Sequence, residues 1–221
     1  MERPYDIITF DCYGTLIDWE AGISTAFVSA AAADGHALDR RQVLEAYADI
    51  EPAVEAEAYR RYRDVLTETA QRVAERLGWT LSREHAAFLA DSLPAWEPFN
   101  DTNLALERLV AAGYALGLLS NVDDDLLAST QRHFAVNFDL RVTAQQVGSY
   151  KPAHGHFQIA RQRIGTRRWL HAAQSYFHDV VPARALGIAT AWINRKADRA
   201  TDDGRADREF RTLTELADWL C

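Results

Sequence analysis

Cysteine is scarce in this sequence: 221 residues carry only Cys12, inside an apolar run, and Cys221, at the last position. Two thiols placed like this do not make a disulfide framework, so a reducing cytoplasm is the expected setting. Long apolar runs are also missing. None approaches the roughly 18 residues that a membrane-spanning helix needs, so no membrane partner is expected. Residues 1–6 are polar and lack the charged-then-apolar order of a secretory signal. Basic charge is in deficit as well, with 24 Lys and Arg against 32 Asp and Glu. A net charge of −8 speaks against a nucleic-acid partner, although a single pocket can differ in sign from the whole. Internal repeats are absent, and the alanines of residues 30–33 read as part of a helix. What remains is an ordinary soluble composition, 48% hydrophobic and 25% charged. The length suits one core plus a small accessory domain, and a homodimer is compatible with it.

Short apolar runs alternate with helical patterns. Strands are expected at Ile7–Phe10, then at 115–119, 138–142, 169–173 and 188–193. Apolar runs bounded by turns suit a parallel sheet covered on both faces. Helices are expected at 103–112, 124–134, 157–164 and 181–186, which makes the chain a βαβ alternation and its core a doubly wound α/β sheet. Residues 20–96 break this rhythm. Helical patterns at 26–33, 41–47 and 59–77 follow one another with no strand between them. The expected division is a core of residues 1–19 and 97–221 with a helical insert of residues 20–96.

Polar residues cluster at the carboxyl ends of the expected strands, where open α/β sheets bind ligands. Asp11-Cys12-Tyr13-Gly14-Thr15-Leu16 follows the first strand, Ser120-Asn121 the second and Asp179 the fourth, while Lys151-Pro152 sits in a loop. One such residue is most simply a turn or helix cap; four positions at one edge form a kit. Asp11 supplies a nucleophile, and Lys151 keeps its carboxylate ionised and oriented. Ser120 and Asn121 offer donors to an anion, and Asp179 orients Lys151 or a water.

With these motifs the chain resembles the haloacid dehalogenase superfamily over essentially its whole length. The resemblance implies a Rossmann-like core with an inserted helical cap domain and an aspartate nucleophile. Phosphatases of the superfamily carry a second Asp two residues after the nucleophile; here that position is Tyr13. The stretch from Asp11 to Asp18, Ser120-Asn121, Tyr150-Lys151-Pro152 and Trp192-Ile193-Asn194-Arg195 are similar to the L-2-haloacid dehalogenase branch, which implies no metal and no other cofactor. Carried over, Asp11 is the nucleophile, Thr15 its hydrogen-bond support, Lys151 its partner, and Asp179 helps to activate water. The substrate-binding set is Cys12, Tyr13, Trp19, Ser120, Asn121, Tyr176 and His178, although on a strand Cys12 should alternate away from Asp11. Two positions depart from the branch. The cap segment 47–57 has no Arg to receive a halide and carries Asp49, Glu51, Glu55 and Glu57, and Tyr176 stands where an Asn is expected.

The leading expectation is hydrolysis at C2 of a small carboxylic acid, most simply an (S)-2-haloacid. The alternatives are C–N opening of a strained cyclic amino acid such as azetidine-2-carboxylate, a magnesium-dependent phosphatase, and a non-catalytic binding protein. Other residues have plainer readings. His171 is a hydrogen-bonded core residue, and His154 and His156 lack further metal ligands. Asp123 to Asp125 cap the following helix. Tyr47, Tyr59 and Trp96 are packing residues or line the cap side. For the four cap acids two readings stand: a solvated helix face, with Asn121, Trp19 and a distant base such as Arg60 or Arg63 cradling a halide, or at least one acid facing the cleft to bind a substrate ammonium.

Overall fold

A computed structural model describes residues 3–200 and 204–221. Met1 and Glu2, part of the polar N-terminal stretch, lie outside the described residues. The elements run β1 (Ile7–Phe10), α1 (Trp19–Ala33), α2 (Arg40–Glu55), α3 (Tyr62–Arg76), α4 (Phe88–Ser92), α5 (Thr102–Ala111), β2 (Ala115–Ser120), α6 (Asp124–Thr130), β3 (Leu140–Thr143), α7 (Ala144–Val147), α8 (Gly155–Ile164), β4 (Trp169–Ala173), α9 (Val181–Ala185), β5 (Ala189–Ile193), β6 (Arg208–Phe210) and α10 (Leu213–Leu220).

All strand pairs are parallel, in the order β3-β2-β1-β4-β5-β6. The four residues of β1 have no solvent exposure, because β2 and β4 flank the strand and helices cover both faces. The winding reverses at β1, so a crevice opens at the carboxyl ends of β1, β2 and β4. This is the doubly wound core with a helical cap that the sequence predicts.

The helical segment leaves and rejoins the sheet layer at one place. Asp18 N donates to the Glu97 carbonyl at 2.9 Å and Phe99 N to the Leu16 carbonyl at 3.0 Å. Asp18 caps α1 by accepting from Ala21 N, and Asp39 caps α2 by accepting from Gln42 N. Ile23, Phe27 and Ala31, spaced four apart, form the buried face of α1. At Gly22 a β-carbon would stand 2.4 Å from the Trp96 ring, so only glycine lets α1 come this close.

Several boundaries differ from the sequence reading. The helix expected at 41–47 runs on to Glu55 through Pro52, which costs one backbone hydrogen bond near its end. The third strand begins at Leu140, while Phe138 packs edge-on against Phe134 in the core. The edge strand β6 is only three residues, Arg208, Glu209 and Phe210, two of them charged, and has no apolar run to betray it. Asp123 does not cap its own helix. It is almost wholly buried and accepts from Tyr62 N at 3.1 Å and Arg63 N at 3.0 Å, capping α3 instead. Among the described residues no helix is long and apolar enough to cross a membrane.

Candidate active site

Asp11 follows the last residue of β1 and is nearly buried. Lys151 Nζ donates to its Oδ1 at 2.9 Å, and Thr15 Oγ1 donates to its Oδ2 at 2.9 Å. The turn that returns Thr15 to Asp11 passes through Gly14 at φ +97°, where a β-carbon would also press on Trp19 and Gln174. Lys151 is fully enclosed and has all three of its N–H donors placed, the others reaching Asp179 Oδ1 at 2.6 Å and the Leu119 carbonyl at 2.9 Å.

Burial alone would lower the pKa of the Lys151 ammonium; the Asp11 and Asp179 carboxylates reverse this and hold it above its ordinary value. Asp179 resists burial because Lys151 and His171 neutralise it, and it is held down at about 2. Asp11 bears the remaining cost. Burial pushes it up and Asp179 adds to that, while Lys151 and Thr15 oppose. The expected net lowering of Asp11 by Lys151 is thus outweighed by desolvation. His171 is the core residue the sequence suggests, with a specific task. Its Nε2 donates to ionised Asp179 at 2.9 Å, and its Nδ1 lies 2.8 Å from the Thr9 hydroxyl.

These groups open onto a cavity of about 290 Å³. Asp11, Tyr13, Trp19, Ser120, Asn121, Lys151, His178 and Asp179 line it. The Ser120 hydroxyl is buried there without a hydrogen-bond partner, and so is Asp179 Oδ2. His156, which burial first and Lys151 next hold down at about 3, places Nε2 3.1 Å from the Ser120 carbonyl, so the neutral ring donates to it. Asn121 is less free than its position suggests. Its Oδ1 accepts from Lys151 N at 2.7 Å and its Nδ2 donates to the Lys151 carbonyl at 3.1 Å, which fixes the loop bearing the lysine. Tyr13 turns its hydroxyl away to Thr130 at 2.9 Å. Trp19 packs against Tyr47 with the rings tilted and 5.7 Å apart. His178 receives its orientation from the Ser175 hydroxyl at 3.0 Å, and burial keeps its pKa low.

Two expected substrate-binding residues are elsewhere. Cys12 lies beyond the end of β1 and packs into the apolar core. Tyr176 packs against Trp192 and donates to the Gly204 carbonyl, away from the cavity. The wall it was expected to share is made by Gln174, Ser175 and His178.

A family model described as haloacid dehalogenase-like hydrolase matches residues 5–188. The chain belongs to the haloacid dehalogenase-like hydrolases. It is 27% identical to an (S)-2-haloacid dehalogenase of Pseudomonas putida, over 96% of this chain and 95% of that one. It is 29% identical to an (S)-2-haloacid dehalogenase of Pseudomonas fluorescens, over 96% and 94%. In three dimensions it resembles a defluorinating L-2-haloacid dehalogenase with a TM-score of 0.83 at 24% identity, covering 98% of this chain and 95% of that chain.

The cap side of this hydrolase departs from expectation. Asp49 pairs with Arg76, and Glu57 with Arg60 and Arg72, on the outside. Arg63 pairs with Asp91 and Asp125, so neither Arg60 nor Arg63 reaches the cavity. Glu51 and Glu55 do line it, beside Tyr47 and Tyr62. Tyr47, Glu51 and Glu55 are four residues apart on α2 and therefore share one face. Trp96 lines the cavity as well, whereas Tyr59 is exposed and stacks on Tyr150. A helix read to its true end would have placed both acids beneath Tyr47.

Proposed function

We propose that this hydrolase breaks a bond at C2 of a small carboxylic acid through an ester on Asp11, without a metal. The observation that carries the reading is the buried Asp11, gripped by Lys151 and Thr15 in the wall of the cavity. A carboxylate oriented by two donors keeps lone pairs for attack on a saturated carbon. Ser120, with its hydroxyl unpartnered, receives the substrate carboxylate. Water then attacks the Asp11 carbonyl carbon and regenerates the carboxylate. Asp179, held at about 2, orients that water rather than taking its proton. His178, whose pKa burial lowers, stands in the same wall as the base for that water.

The residues do not fit a magnesium ion. Lys151 already bridges the Asp11 and Asp179 carboxylates, and Tyr13, in place of a third acid, bonds Thr130. The names of the relatives make an (S)-2-haloacid the first substrate to try. A second reading, with nitrogen as the leaving atom, is favoured by Glu51 and Glu55 in the cavity wall.

Multiple turnovers in heavy-oxygen water test the covalent step, with label expected in the Asp11 peptide. Label found in product alone means direct attack by water and overturns the reading. Turnover is expected to survive excess chelator; activity lost to chelator and restored by magnesium returns the phosphatase.

A further inference from the structure

We infer that Glu51 and Glu55 form a binding site for a substrate ammonium group, which makes the substrate a small cyclic amino acid opened at its C2–N bond. The inference rests on Asp11 as nucleophile and names the leaving group.

The cavity has an unusual charge balance. Asp11, Glu51, Glu55 and Asp179 line it, and among the described residues Lys151 is the one Lys or Arg that does. That lysine is already committed to Asp11, Asp179 and a carbonyl. A departing halide would find no free cation and would face two carboxyls. Those carboxyls are a pair. They hydrogen-bond each other, Tyr62 donates to Glu51 Oε1 at 3.2 Å, and Asn121 Nδ2 lies 3.4 Å from Glu55 Oε2. Burial raises both acids, Glu51 to about 7, and a cation in the cavity favours ionisation of one of them while the proton stays on the other. Independently, the Ser120 hydroxyl is buried in this cavity with no partner. A donor awaiting an anion on the sheet side and a carboxyl pair on the cap side together complement a zwitterion.

The chemistry balances. An amine cannot leave carbon as an anion at neutral pH, but a ring ammonium leaves as a neutral amine. Asp11 forms the C2–O bond while the C2–N pair stays on nitrogen. The acid pair stabilises the ammonium before attack and hands its proton to the freed amine after it. Water then adds to the Asp11 carbonyl. One of its protons ends on the C2 hydroxyl of the product and the other restores the pair. A strained small ring supplies the driving force that an open-chain amine lacks, and the products are an amino-hydroxy acid and free enzyme.

The test uses the intact protein with azetidine-2-carboxylate and L-2-chloropropionate. The expected result is ring opening that outpaces chloride release and falls roughly 100-fold in Glu51→Gln and in Glu55→Gln, as for a buried charge pair that loses one member. A binding measurement needs no turnover. L-Proline, with a ring ammonium, should bind at least about ten-fold more tightly than tetrahydrofuran-2-carboxylate, with its uncharged ring oxygen, and Glu51→Gln should erase the difference. Equal binding of the two overturns the inference. So does chloride release that outpaces ring opening and survives both changes, which leaves Asp11 hydrolysis standing. No Asp11 ester with either substrate overturns both readings together.

Discussion

Only two of the 24 basic residues are lysines, Lys151 and Lys196. The one at 151 is sealed between two carboxylates. Arginine could not take its place, since a planar fork does not fit where a compact ammonium aims three donors at three acceptors. Lys151→Met should leave Asp11 and Asp179 facing each other uncompensated. A loss of about 3–5 kcal/mol is the scale for a broken buried pair, read by urea denaturation, together with a collapse of the single-turnover rate. The carboxyls also set opposing pH trends. Asp179, held at about 2, contributes stability at neutral pH that disappears as pH falls through its ordinary value of 3.8 towards 2. Glu51, raised to about 7, acts in reverse: its ionisation costs stability as pH climbs from 4.5 through 7. Glu51→Gln should therefore raise the melting temperature more at pH 8 than at pH 5, a comparison that thermal unfolding at the two pH values makes directly. Equal shifts at both would mean that Glu51 ionises freely in the wild-type protein.

At the scale of elements, the sequence shows the sheet well and the helical segment less well. β1 is legible because a fully buried parallel strand must be apolar throughout, and Asp11 stands out where that run stops. The Ser120-Asn121 and Asp179 positions follow from the same logic of strand ends, whereas Lys151 stands in a loop and is found by its motif. β6 escapes because an edge strand of three residues needs no apolar pattern. The end of α2 escapes because proline is normally a helix terminator, and with it went the inward direction of Glu51 and Glu55. Cys12 is drawn into the site by its closeness to Asp11 and Tyr176 by its place in the resembled motif; packing in the apolar core and against Trp192 takes them out. Helix packing gives its own prediction. Gly22→Ala would drive a methyl into Trp96, a cavity wall residue, and should cost about 1–3 kcal/mol along with activity. Normal stability in that variant would show that α1 can shift away from the ring.

At the scale of the whole molecule, sheet and helical segment share one continuous hydrophobic cluster, from Ile8 and Phe10 under the nucleophile to Val65 and Leu66 of α3. They also share Asp123. Its carboxylate sits two residues beyond Asn121, at the end of β2, and holds the first two amides of α3. Asp123→Ala should cost about 1–2 kcal/mol, as for a lost helix cap, and should speed amide exchange at Tyr62 and Arg63 ahead of the sheet. Unchanged exchange would mean that α3 is anchored by packing alone. The tie reaches further than stability. α3 packs on α2, and α2 carries Glu51 and Glu55, so a carboxylate outside the cavity is linked through two helices to the acid pair in the cavity wall. The span between that pair and Asp11 is a ruler for the molecule that fits between them. Shortening the tie's reach or letting it slacken should therefore change which molecules the cavity accepts, with every residue that lines it left as it is.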